Sequence, residues 1–576
     1  MNKYYTDNVN QQILLALLKA HGIKRVIASP GGTNPSMVVS FQHDGSFDMY
    51  SCVDERSAAY MACGMAEQSQ EPVVICCTGA TASRNYIPAL TEAYYRKLPI
   101  VAITCSRPSM NIGHLYPQVT DRSKYPSDIL VDGEQLQVVK DESDFHDCEF
   151  KVNRGLSELN RRGGGPVHFN VEVTTQSCTT RSLPKVKVIK RITYNSIYPI
   201  LPSGKIGIFI GSHKLMKKEL QSAIDEFCSK HNAVVFHDHT SGYYGDYGVL
   251  YSLIGCQENY KFDVCNLDLL IHIGEISGDY YSINNLKGKI VWRVNPDGEI
   301  RIRFNHLDSI FEMNEITFFD YYKNKNISDN SFYETCISIY NNIYSLIPQD
   351  LPLCHITVAK LLSPLIPSGS IVHPSILNAL RSWNFIKMSN EIHMNCNVGG
   401  FGIDGCTSSL IGASLTNKDK LFFGITGDLA FFYDLNSIGN RHIDKNVRIL
   451  LMNDGKGAEF RHWQWEEYDV DMDEFVAGAG HFGNKSSNLV RYYAESLGFK
   501  YLSVSTIDEL KKKLYDFIKI DSDKPILMEV FSTAQNQSDA WEKISHLVEA
   551  NFAESFGKDV QKVGNKIKKI ISMISK

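Results

Sequence analysis

Residues 424–460 read GITGDLAFFYDLNSIGNRHIDKNVRILLMNDGKGAEF, and this stretch decides the fold. One apolar run ends in Gly427-Asp428, and a second ends in Asn453-Asp454-Gly455. Such near-continuous apolar strands belong to a parallel sheet covered on both faces. Their carboxyl ends share one edge, and ligands of open α/β sheets bind in the crevice outside it. Asp428, the side-chain oxygen of Asn453 and the carbonyl of Gly455 would supply hard oxygen ligands there. Mg²⁺ takes such oxygens in an octahedral shell that a bound phosphate usually completes. Gly427, Gly455 and Gly457 let backbone approach phosphates closely. A GD or an NDG alone is an ordinary turn; the spacing and the strand context make the pair a site.

Outward from this stretch the strand signature recurs. KRVIASPGG (24–32), PVVICCTG (72–79), PIVAITCSRP (99–108) and PVHFNVEV (166–173) leave room for helices between them, and QQILLALLKAHG (11–22) reads as an amphipathic helix ended by glycine. GKIGIFIGSHK (204–214), NAVVFHDH (232–239), LDLLIHIGE (267–275) and KIVWRVNP (289–296) form a second set. SGSIVHPS (368–375), KLFFGITGD (420–428), VRILLMND (447–454) and PILMEVFS (525–532) form a third. The expected fold is α/β, with three doubly wound parallel-sheet domains in series. The Pro-rich, basic stretch 180–204 marks the first boundary, and a helical linker near 330–347 marks the second. The domains are placed at 1–182, 183–345 and 346–550, followed by a tail, 551–576, that reads as a basic amphipathic helix.

Composition removes several classes of function. A chain of 576 residues with 43% hydrophobic and 21% charged content builds several cores and is not disordered. The net charge of −5 gives no field that gathers nucleic acid. Fourteen cysteines lie in apolar runs without CxxC spacing. With no leader and no apolar span of about 20 residues, this pattern predicts reduced thiols in the cytoplasm. The tail is expected to dock on protein, with contact to an anionic membrane as the lesser alternative.

The paired strand ends give the chain a resemblance, over almost its whole length, to the thiamine diphosphate (ThDP) enzymes of the decarboxylase and carboligase superfamily. Their motif is a GD pair followed by an NN or N-x-G turn. The resemblance implies a pyrimidine-binding domain, a central domain of related topology and a diphosphate-binding domain, in that order. It assigns Mg²⁺ to Asp428, Asn453 and the Gly455 carbonyl, with Leu429 as the third residue of the GD element. Thr78 and Gly79 are placed among the cofactor contacts, and His393 is given a diphosphate contact. The apolar wedge under the cofactor falls on Phe401 or Ile403.

The resemblance also gives a meaning to DERSAAYMACGMA (54–66). Taken alone, Asp54-Glu55 would be a helix cap. The family has a glutamate here that shares a proton with N1′ of the aminopyrimidine, so Glu55 takes that role and Asp54 keeps the cap. Apolar surroundings would favour a protonated Glu55. Gln118, in LYPQVTDR, is assigned to the reacting centre, and Arg107, in TCSRP, to the carboxylate of a 2-oxo acid donor. Thr33, Arg461 and His462 complete the expected substrate contacts. The family's active sites lie between two subunits, which implies a homodimer or homotetramer.

Within the superfamily, ASPGGTNPS, the DERSAAY segment with its following SRP, GGGPVHFNV, and FGIDGCTSSLIGAS before GDL resemble the MenD branch of menaquinone-pathway synthases. Those enzymes add the succinyl semialdehyde unit of 2-oxoglutarate to isochorismate. Two of the branch's arginines are absent: the first turn reads Gly31-Gly32-Thr33, and Val398 precedes the GIDG element. Each lost charge-assisted contact removes roughly 1.5 to 3 kcal/mol. The expectation is therefore a carboligase that joins the acyl unit of a 2-oxo acid to a less anionic carbonyl or enone acceptor, as in surface-polysaccharide or other specialised biosynthesis. A simple decarboxylase, an acetolactate synthase-like enzyme and an authentic MenD synthase are the alternatives. A flavin (FAD) is not expected, and a yellow protein would overturn that.

Overall fold

A computed structural model describes residues 4–122, 124–323, 329–461, 473–479 and 486–548. His462 and the tail 551–576 lie outside the described residues. Three sheets are present. The first holds β1 (Arg25–Ala28), β2 (Asp48–Ser51), β3 (Val73–Thr78), β4 (Ile100–Ser106), β5 (Asp132–Leu136) and β6 (Val167–Glu172), in the order β2-β1-β3-β4-β6-β5. Every neighbouring pair in it is parallel. All residues of β4 and β6 are buried. Alternate side chains feed two cores: Val74, Cys76, Val101 and Ile103 face one, and Val73, Ile75, Cys77 and Ala102 face the other. Helices on both faces therefore enclose the sheet, as the unbroken apolar runs require.

The second sheet contains β7 (Lys190–Ile192), β8 (Ile206–Ile210), β9 (Ala233–His237), β10 (Gly248–Leu250), β11 (Asn266–Ile273), β12 (Lys287–Val294) and β13 (Leu307–Phe311), ordered β10-β9-β8-β11-β12-β13-β7. Six of these strands follow the 3-2-1-4-5-6 order of a dinucleotide-type sheet. The central domain is thus wound differently from its neighbours. The third sheet contains β14 (Ile371–Pro374), β15 (His393–Met394), β16 (Phe422–Gly427), β17 (Val447–Asn453), β18 (Lys500–Val504) and β19 (Ile526–Phe531), ordered β15-β14-β16-β17-β19-β18. This order and its all-parallel pairing reproduce the first sheet strand for strand.

The chain packs as two compact units: the part up to residue 191 with 308–310, and the remainder, which contains most of the second sheet and all of the third. Specific contacts join the two sheets of this larger unit. Trp541 packs on Tyr281 with ring centroids 4.7 Å apart, and Gln257 Nε2 donates to the Ile544 carbonyl at 2.9 Å. The helix expected in the linker runs from Ser331 to Ser345. All fourteen cysteines are free thiols. Among the described residues, no helix is long and apolar enough to cross a membrane.

Candidate active site

The carboxyl edge of the third sheet carries the richest polar arrangement. Gly427 pairs with Met452, so Asp428 and Asn453 emerge side by side from β16 and β17. Asp428 is 3% exposed and Asn453 5%. The Asp428 carboxylate accepts from the backbone N–H of Leu429 and of Gly455, each at 2.7 Å, which fastens the turn after β17 to the end of β16. Gly455 closes that turn at φ +87°, a conformation that suits glycine. Asn453 Nδ2 donates to Glu529 Oε1 at 2.8 Å. Because a carboxylate only accepts, this bond fixes which end of the amide is nitrogen and leaves Oδ1 as the end not turned to Glu529.

Glu529, on β19, also accepts from the Tyr501 hydroxyl at 2.7 Å. Burial raises its carboxyl above the usual range, against the pull of the Asn453 and Tyr501 hydrogen bonds. Asp454 lies well above the ordinary value, first through burial and then through Asp428. One carboxylate, one amide oxygen and the carbonyls of a tight turn are a donor set that fits Mg²⁺ shared with a diphosphate.

The three glycines divide their roles. A Cβ on Gly427 would meet nothing within 4 Å, so the chain is open on that side. Gly457 instead donates its N–H to the Ala477 carbonyl at 2.6 Å, and a Cβ there would crowd Leu429, Phe460 and Ala477 at 3.2 Å. Its smallness therefore serves packing against Leu429, and its N–H is already engaged. Ser375, at the end of β14, donates to the Thr426 hydroxyl at 2.9 Å beside Gly427. Neither residue stands out in sequence.

His393 is not brought to this edge. It pairs with Ile371, which pairs with Phe422 at the amino end of the sheet. At about 3.3 Å per residue, roughly 20 Å separates that level from Asp428. Its Nδ1 lies 3.1 Å from the Tyr244 hydroxyl, and burial lowers its pKa. The expected diphosphate contact is corrected accordingly: His393 belongs to the packing against Tyr244. Phe401 adopts φ +56° and sets its ring 5.7 Å from that of Tyr280, and Ile403 is half-buried. Arg461 ends the short turn Ala458–Arg461 that follows the Asn453 turn.

The first sheet has its own set along its carboxyl edge. Thr33, Glu55, Gly79 and Arg107 follow β1, β2, β3 and β4 respectively. Asp54 caps the helix Glu55–Ser69, accepting from the N–H of Arg56 at 2.9 Å and of Ser57 at 3.3 Å. Glu55, half-buried, is left for another partner and accepts from Asn85 Nδ2 at 3.0 Å. Thr33 is tied down: its N–H donates to the Thr78 hydroxyl at 3.2 Å, the two hydroxyls touch, and its own hydroxyl donates to the Cys105 carbonyl at 2.5 Å. A Cβ on Gly31 would stand 2.6 Å from that of Thr78, so only glycine permits this closure.

Gly79 leans on the buried guanidinium of Arg122, whose Nη1 would be 2.7 Å from an added Cβ and whose Nε donates to Asn170 at 3.0 Å. Arg122 and Asn85 were not legible as site residues, because each acts through contacts with residues distant in sequence. Gln118 is exposed at φ +60°, an unusual conformation for glutamine, in a loop where Leu115 is 99% exposed. Arg107 is exposed.

Two family models match the chain: thiamine pyrophosphate enzyme, N-terminal TPP binding domain, over residues 10–125, and thiamine pyrophosphate enzyme, C-terminal TPP binding domain, over residues 380–530. The first span contains Glu55 and the second contains the Asp428 and Asn453 turns. The two matches place this chain's ends alongside the two cofactor-binding domains of thiamine pyrophosphate enzymes, and with the relatives below they make it an enzyme dependent on thiamine diphosphate, a C–C lyase or transferase. Its sequence is similar to 2-succinyl-5-enolpyruvyl-6-hydroxy-3-cyclohexene-1-carboxylate synthases. That of Bacteroides thetaiotaomicron is 29% identical, covering 92% of this chain and 96% of that protein. Those of Bacteroides fragilis and Phocaeicola vulgatus are 29% and 28% identical, over 92% and 93% of this chain and 97% of each relative.

Proposed function

We propose that the protein is a ThDP- and Mg²⁺-dependent carboligase that decarboxylates a 2-oxo acid and transfers the acyl unit to a carbonyl or enone acceptor poorer in carboxylates than isochorismate. The cofactor supplies the electron sink for this chemistry when bound. Asp428, Asn453 and the Gly455 carbonyl would hold the cation with the diphosphate, and Ile403 would support the bent cofactor. Glu55 would keep a proton at the pyrimidine N1′, with Asn85 orienting its carboxyl group. Arg107 would receive the donor carboxylate, and Gln118 would face the reacting atoms.

The observation that carries the acceptor reading concerns the two positions where the MenD pattern has arginine. Thr33 has its hydroxyl bound to Thr78 and Cys105. Val398 is 6% exposed and packs where Gly278, Ile376 and Leu380 meet. Arg381, a buried cation of the same unit, is engaged by Glu459 through both terminal nitrogens at 2.8 Å. These surroundings support a neutral or sugar-like acceptor over a dicarboxylate.

Self-association is part of the proposal. Glu55 is only half-buried in one chain, and Tyr60 and Met61 on the same helix are exposed, as expected of a surface that a second copy covers. The free thiols support a cytoplasmic setting. Product mass spectrometry with a panel of 2-oxo acids, each offered with simple aldehydes, keto-sugars or isochorismate, tests the reading. Ligation to a neutral keto-sugar or enone is expected. Ligation confined to isochorismate would return the protein to the synthase reaction, and release of free aldehyde alone would make it a decarboxylase.

A further inference from the structure

The third sheet's carboxyl edge is crossed by a buried ion pair that the donor set does not include. Arg381 lies in the helix Asn378–Asn384, which follows the end of β14. Its guanidinium is 2% exposed and donates from Nη1 and Nη2 to the two carboxylate oxygens of Glu459, both at 2.8 Å. Glu459 belongs to the turn Ala458–Arg461, four residues beyond Gly455. β14 and β17 flank β16 on its two sides, so the pair spans the edge from which Asp428 emerges. Tyr281 and Trp541 stack on the guanidinium at 5.3 and 5.5 Å, and Asp279 Oδ1 stands 4.0 Å from Nε. Asp279 is itself held by the N–H of Tyr281 at 3.0 Å and by Asn384 Nδ2 at 3.2 Å. The helix carrying Arg381 starts from Leu377 at φ +71°, a strained conformation for leucine that the surrounding contacts must hold.

We propose that Arg381 is a positioning residue for the cofactor turn, acting through Glu459 as a strap that sets where Asn453 and Gly455 stand relative to Asp428. A planar guanidinium bound at both oxygens of a carboxylate fixes direction as well as distance, which a lysine cannot do. Set against the packed rings of Tyr281 and Trp541 and backed by Asp279, it is held in orientation, and the segment after β17 inherits it. The inference rests on reading the turn as the ThDP and Mg²⁺ site, while the position of the turn can be measured without cofactor.

The test compares full-length wild type with Glu459→Gln and Arg381→Lys. Amide hydrogen exchange of residues 453–460 is measured without cofactor, and ThDP affinity is measured calorimetrically at saturating Mg²⁺. In Glu459→Gln, exchange over the turn should quicken and the ThDP Kd should rise about tenfold, the scale expected for groups that orient ligands from behind. Because Glu459→Gln leaves the Arg381 guanidinium buried without its paired carboxylate, the unfolding temperature should fall, while kcat at saturating cofactor should stay within about twofold. Arg381→Lys, which keeps the charge and loses the fork, should fall between wild type and Glu459→Gln. Should Glu459→Gln fail to fold, Arg381→Lys carries the same comparison. Unchanged exchange at 453–460 in a folded variant overturns the strap, and so does a lower unfolding temperature with an unchanged ThDP Kd. A wild type that binds no ThDP overturns the functional reading instead, and the exchange data still decide the strap.

Discussion

Replacing Glu529 separates an orienting role from simple packing at the proposed cation site. Glu529 is 1% exposed and reaches Asn453 Nδ2 at 2.8 Å and the Tyr501 hydroxyl at 2.7 Å. Glu529→Ala removes the acceptor and leaves the Asn453 amide N–H buried without it, a penalty of about 1 to 3 kcal/mol. The amide can escape by turning its nitrogen outward, where it repels a cation. Through this loss of ligand orientation, Mg²⁺ affinity should fall about ten- to a hundredfold. Glu529→Gln keeps one carbonyl oxygen for Asn453, and the Tyr501 hydroxyl can rotate to accept from the new amide. That variant should lose no more than about threefold, less than one neutral hydrogen bond is worth. Mg²⁺ titration at fixed ThDP, followed by tryptophan fluorescence, measures both. Wild-type affinity in Glu529→Ala, or equal losses in the two variants, would refute the orienting role.

Glu55→Gln should leave far-UV circular dichroism unchanged and lower turnover by at least about a hundredfold, the usual size of an acid–base contribution; a fully active variant removes Glu55 from the mechanism. Burial, with Arg122 adding, pushes the His168 imidazole down to about 3. Its neutral form accepts from or donates to the Thr104 hydroxyl at 2.8 Å. The unfolded chain protonates near 6.5 and the folded one does not, so this contribution is complete above pH 6.5 and is lost as pH falls toward 3. The slope is about 1.4 kcal/mol per pH unit. In urea unfolding between pH 7.5 and 4.5, wild type should weaken faster than His168→Gln on acidification, and parallel curves would contradict the shift.

The long central strands were readable because both their faces are buried. Runs such as VVICCT and IVAITC are apolar at nearly every position and enter cores on each side. β2 (DMYS), β5 (DGEQL) and β15 (His393–Met394) were not readable. These strands lie at sheet edges, where one side needs no apolar cover, and their polar residues look like loop. Strand order was equally out of reach, since which strands pair depends on packing that local sequence does not encode. The identical winding of the first and third sheets, against the different central one, became visible only in the structure.

That Asp428, Asn453 and Gly455 meet at one edge could be read because strand ends in a parallel sheet fall together. His393 was misread because β15 is only two residues long and its register, not its distance in sequence, decides which edge it reaches. Glu529, Asn85, Arg122 and the Arg381–Glu459 pair were missed for a common reason. Glu529, Asn85 and Arg122 each touch an expected residue with their own side chain, and Arg381 and Glu459 meet across 78 residues of chain; such contacts leave no spacing in the sequence.

The proposal that each active site joins Glu55 of one subunit to the Asp428 turn of another is tested most directly by mixing two inactive variants. Glu55→Gln and Asp428→Asn are denatured together, refolded, and assayed for CO₂ release from the best 2-oxo acid. Each mixed dimer would contain one site with both residues intact and one with neither, so random pairing should restore about a quarter of wild-type activity. Activity that stays at the level of the separate variants, while gel filtration shows mixed dimers, would contradict a shared site.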